Sequence, residues 1–162
     1  MAIPRPVLMV ELLMSADRVV TAAQRANGRQ ATGPSHAVDD SWSPAAVVGH
    51  LSQVDLEVWL PRLALMVHGR AVARPPSFTW WEPDAAQTRR DFDGVSPDEA
   101  GARLLSSRTS LLLRLRDLSD DDWNATAEHE TFGSIDVEGL MLQVLAHDEE
   151  HRATLLLGQP EV

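Results

Sequence analysis

The sequence predicts an all-α fold, a four-helix bundle with a long connection between its second and third helices. Three observations carry that reading. Apolar residues recur at helical spacing over four long segments, Ser-Pro or Asp start signals open three of them, and no stretch shows the strict alternation of a half-buried strand. A length of 162 residues suits one compact domain over 1–162, and such a chain buries roughly 70% of its unfolded surface without staples.

The first helix is expected from about Pro6 to Asn27, with Leu8, Leu12, Ser15, Val19 and Ala23 on one face and Gly28 behind it. A polar connection then covers 28–42. Ser43-Pro44 places an N-cap hydroxyl before a proline at the first helical position, opening a helix to about Val67. Pro61 lies inside that helix and should kink it by freeing the carbonyl of Glu57. His68-Gly69 ends it, so His68 reads as a helix-terminal residue and not a ligand.

The stretch 70–95 holds Pro75-Pro76, Trp80-Trp81 and a short helix near 84–92, long enough to cross one end of a bundle. The tryptophan pair serves either as packing for this long loop or as a lid. Ser96-Pro97 repeats the start signal for a third helix to about Asp117, and Ser119 caps a single turn through Trp123. Phe132-Gly133-Ser134 reads as a tight entry to the last helix, capped by Asp136 and ending at Leu157-Gly158 with Pro160 beyond. Strands are not expected.

Composition narrows the function. The formal charge is −10, with 14 arginines and no lysine, and no dense basic cluster occurs. Phosphate backbones and anionic membrane surfaces are therefore poor partners. No apolar run reaches the ~18 residues of a membrane span, and the N-terminus lacks the apolar core of a signal peptide. There is no cysteine, which removes disulfides, thiolate ligands and a cysteine nucleophile. A cytoplasmic protein is the expectation. Expected partners are a small-molecule substrate, not nucleic acid or membrane, with a homodimer as the candidate assembly.

The chemistry concentrates on histidines. His147 and His151 stand one turn apart, and residues at i and i+4 share a helix face, so two imidazoles at this spacing can grip one ion. Leu140, Val144 and Thr154 fall on the same side as the pair, while Glu149 faces away. His50 aligns with Val47, Leu51, Val54 and Val58. Three inward-facing histidines make a divalent-metal site a stronger reading than three separately satisfied core histidines.

Asp148 and Glu150 each flank the histidine pair by about 80° on the helical wheel, close enough to support ligands but poorly aimed to be ligands. Both are candidate catalytic carboxylates. Arg108 falls among Leu104, Leu105, Leu111, Leu112 and Leu115 on an apolar face, where a charge must be paired or must line a cavity. It is a candidate catalytic residue that would hold a substrate carboxylate; the alternatives are an ion pair with an acid such as Glu11, or snorkelling at the bundle end. His129 is expected in a surface loop. Two rival metal sites fail: Asp148 stands where HExxH proteases need glutamate, and Val47 stands where a di-iron Glu-x-x-His would need its acid.

Ser41-Trp42-Ser43-Pro44 leading to His50-Leu51, then Phe132-Gly133 leading to His147-Asp148-Glu149-Glu150-His151, resembles the DinB/YfiT superfamily over nearly the whole chain. The resemblance implies a four-helix bundle of unusual connectivity with His50, His147 and His151 holding a divalent metal, commonly zinc or nickel. Relatives include thiol-dependent S-transferases and an isomerase using a low-molecular-weight thiol, so such a thiol is a candidate co-substrate. The functions implied are a metal-dependent transferase or hydrolase, or a non-catalytic protein in which the metal staples the bundle.

Overall fold

The computed structural model describes residues 2–32 and 42–157. Most of the expected 28–42 connection and the Gly158 and Pro160 stop signals lie outside these residues. Four long helical runs form the bundle: α1 (Arg5–Thr32), α2 (Pro44–Val54) continuing into α3 (Leu60–Ala71), α5 (Pro97–Arg116) and α6 (Val137–Leu157). The short α4 (Ala85–Asp91) lies in the connection between the second and third runs.

Start signals behave as local chemistry requires. The Ser43 hydroxyl accepts the N–H of Ala46, Ser96 accepts that of Glu99, and Asp136 accepts that of Gly139. Stop signals do not all hold. α1 continues past Gly28 to Thr32, because Gly28 does not adopt the left-handed conformation that turns a chain out of a helix. α3 likewise passes His68-Gly69 and is closed by Ala73, which takes φ 53°.

The break near Pro61 takes a specific form. Asp55–Trp59 winds as a π-turn between α2 and α3, with the Leu60 N–H donating to the Asp55 carbonyl five residues back. Widening the helix just upstream of Pro61 makes room for a ring that has no N–H to donate and crowds the preceding turn.

Strands are present, contrary to expectation. β1 (Ser77–Phe78) pairs parallel to β2 (Thr126–His129), which pairs antiparallel to β3 (Gly133–Asp136). Phe132 thus lies in the β2–β3 hairpin turn, Gly133 opens β3 at φ 69°, and β3 runs straight into α6. His129 belongs to β2 and is buried, not in a surface loop: its Nδ1 accepts the Thr131 N–H, and its ring lies 4.7 Å from Phe132.

The core has two apolar clusters separated by a polar layer. One holds Val19, Ala23, Val48, Leu51, Phe92 and Leu104; the other holds Leu12, Leu63, Met66, Leu111, Leu140 and Val144. Each long run crosses between them at a buried polar residue: Ser15 on α1, Asp55 at the π-turn, Ser107 and Arg108 on α5, Asp148 on α6. The leucines on either side are fully buried, and each contributes about 2 kcal/mol of hydrophobic stabilisation.

Candidate metal centre

His50 enters the polar layer from α2, two turns after the Ser43 cap, while His147 and His151 enter from consecutive turns of α6. Their ring nitrogens converge. Nε2 of His147 lies 3.1 Å from Nε2 of His151 and 3.4 Å from Nε2 of His50, and one ligand atom from each residue falls within 4.8 Å of the others. A tetrahedral ion with nitrogen bonds of 2.0–2.1 Å separates its ligand atoms by about 3.3 Å. The two measured separations fit those edges.

Protonation also fits a metal. Burial, reinforced by the charges of the neighbouring histidines, pushes the His50 pKa down to about 3 and that of His147 to about 4. Burial lowers His151 as well, against the opposing charges of Glu150 and Asp148. Near neutral pH these are neutral imidazoles with lone pairs available, packed so closely that a cation between them removes a repulsion.

Histidine ligands are ordinarily steered by a hydrogen bond from the second ring nitrogen. The Nδ1 atoms of His50 and His147 are buried and have no protein partner among the described residues. Indole rings pack around these imidazoles. Trp42 lies 4.8 Å from the His50 ring and stacks on His151 at 6.4 Å, Trp81 stacks on His50 at 6.1 Å, and Trp59 meets the edge of His147 at 6.2 Å. The sequence pointed to Trp81 only with Trp80 and to Trp42 only as part of a helix-start motif, and it did not single out Trp59. Trp80 sits elsewhere, against Phe132.

Behind α6 lies the charge cluster. Arg108 is fully buried and uses all five N–H donors of its guanidinium: Nε and Nη2 on Asp55, Nη1 and Nη2 on Asp148, and Nη1 on the Leu12 carbonyl. Ser107 donates to Asp55 at 3.1 Å and Ser15 to Asp148 at 2.5 Å. Burial works to lower the Arg108 pKa, but the hydrogen bonds and charges of Asp148 and Asp55 outweigh it and the cation becomes more basic than usual. Burial raises Asp55 to about 6 against the pull of Arg108.

The expectation of Arg108 on a substrate carboxylate thus gives way to a structural pairing, because no N–H is left to offer. Its partners are Asp55 and Asp148; Glu11 pairs with Arg18. Asp148 sits in this cluster and not at the metal-facing side. Glu150 is exposed, one residue before His151.

A helical bundle with three neutral histidines converging from two helices defines a metal-binding bundle protein. The chain belongs to the DinB superfamily, whose sequence profile matches residues 11–155. Among solved structures it is similar to YfiT from Bacillus subtilis, a probable metal-dependent hydrolase with an unusual four-helix bundle topology. The identity is 18% and the TM-score 0.63, covering 94% of this chain and 89% of that one. At that identity the likeness is one of fold. No curated protein matches the sequence.

Proposed function

We propose that the protein is a divalent-metal-dependent enzyme acting on a small molecule, either a hydrolase or a thiol-dependent S-transferase. The convergence of His50, His147 and His151 carries this reading. The group comprises three protein ligands among the described residues, and His147 and His151 are only half-buried, which favours an accessible centre over a closed structural staple. The similarity to YfiT agrees with the hydrolase alternative. A zinc or nickel ion bound there supplies Lewis acidity at a site open to substrate.

The chain's own residues divide the remaining work. The indoles of Trp42, Trp59 and Trp81 line the centre and limit water. Asp55, Arg108 and Asp148 fix α6 relative to α2, α5 and α1, and so position the histidine pair. Glu150, exposed and close enough for its charge to favour protonation of His151, is assigned to proton transfer.

Metal analysis of protein purified without chelator tests the proposal, with about one divalent ion per chain expected. A metal-free preparation that takes up neither zinc nor nickel would refute it. Parallel screens of ester, amide and thiol-transfer substrates on the loaded protein then separate hydrolase from transferase.

A further inference from the structure

Three of the five tryptophans surround the histidine centre, brought there by three separate segments. Trp42 precedes α2, Trp59 ends the π-turn, and Trp81 lies in the connection beyond β1. None is fully buried. His50 is closed off at 2% exposure, whereas His147 and His151 are half-open. Entry to the centre is therefore past His147 and His151, the imidazoles against which Trp59 and Trp42 lie, with Trp81 over His50.

Cations near this mouth are committed elsewhere. Arg108 is enclosed and saturated. Arg152 clamps Glu149 through two bonds of 2.7 Å, and Arg62 donates to the Thr79 carbonyl while lying over Trp59 and Phe78. A second anionic group on a substrate would have to compete with the partners these described guanidiniums already hold, on a protein of net charge −10.

We propose that the tryptophans form a substrate-selective wall, and that the site takes a flat aromatic or conjugated small molecule carrying one anionic donor group. The inference rests on the metal-centre reading: the donor group meets the cation held by the three histidines, and the planar frame lies against indole faces. Aromatic pairs add about 0.5–1.5 kcal/mol each beyond burial, so the wall discriminates by shape and π-character where charge does not.

The test compares two ligands with the same donor atoms, benzohydroxamate and acetohydroxamate, titrated into cobalt-loaded protein and followed by the cobalt absorption bands. Benzohydroxamate is expected to bind at least about fivefold tighter, a preference of about 1 kcal/mol. Trp81→Leu should at least halve that ratio, by weakening benzohydroxamate more than acetohydroxamate. Trp81 belongs to neither apolar cluster, and cobalt uptake by the variant checks its fold. Should that uptake fail, Trp59→Leu carries the same comparison on the His147 side.

Failure to take up cobalt in the wild-type protein removes the metal-centre reading and this inference with it. If cobalt binds but the preference is below fivefold, survives the tryptophan variant, or is absent because neither ligand moves the bands, the aromatic wall alone is overturned. A variant that weakens both ligands equally assigns the indole to holding histidines and likewise overturns substrate selection.

Discussion

Arg108 and Asp148 face each other through two parallel hydrogen bonds, Nη1 to Oδ2 at 2.7 Å and Nη2 to Oδ1 at 3.0 Å, with neither side chain reaching water. Asp55 occupies the other flank of the guanidinium, so the buried group holds two carboxylates against one cation.

Removing the cation leaves both carboxylates buried and facing each other. Arg108→Met should lose about 3–5 kcal/mol of stability in urea unfolding. Neutralising the acids in the same background, with Asp55→Asn and Asp148→Asn, should recover most of that loss. A single-variant loss below about 1 kcal/mol would contradict the assignment of the cluster as a tie between helices.

Zinc should stabilise the folded chain only through the histidines. At a free zinc concentration of about a hundred times Kd, the wild-type protein should gain roughly 2.7 kcal/mol, seen as a raised melting temperature. His50→Ala, His147→Ala and His151→Ala should each abolish most of the shift. A shift that persists in all three variants would place the ion elsewhere.

Acid should destabilise the metal-free protein before the carboxylates of an ordinary surface protonate. In the unfolded chain each histidine takes up a proton near pH 6.5. Folded, burial holds His50 near 3 and His147 near 4, and lowers His151. Between those limits the unfolded state binds more protons, so stability drains as pH falls. Asp55 acts oppositely: burial raises it to about 6, so the native state takes its proton first and gains stability below that pH. Three histidines outweigh one carboxylate, and the urea midpoint should fall from pH 6.5 toward pH 4. His147→Gln should flatten the slope; a midpoint that rises with acid would contradict these shifts.

Gly49, beside His50, permits a close approach of α2 to the Phe92 ring. A Cβ there would overlap the Phe92 ring, which is itself buried. Gly49→Ala should therefore cost about 1–3 kcal/mol and weaken zinc affinity by displacing α2. Phe92→Leu in the same background should restore part of both, and unchanged zinc binding in Gly49→Ala would show that α2 does not move.

Sequence alone made the bundle and its histidines legible because both express helical periodicity. Ser43, Ser96 and Asp136 signal starts through chemistry confined to one turn, and the structure keeps all three. The sheet was hidden because its strands are two and four residues long, too short for a period of two to stand out. Arg108 on an apolar face announced a need for acid, yet which acid is a matter of packing. Asp55 stands five residues past His50, about 140° around an ideal helix, and so lay off the stripe that drew attention. Trp42 was legible only as part of the Ser41-Trp42-Ser43-Pro44 start, and nothing local distinguishes Trp59; only the fold brings both to the centre.

The buried charge cluster draws on Leu12, Ser15, Asp55, Ser107, Arg108 and Asp148, and hence on every long helix. No pair of helices completes it, so Arg108 has its full set of acceptors only when the last helix docks. If that docking follows the folding barrier, the cluster's contribution slows escape from the native state more than it speeds arrival.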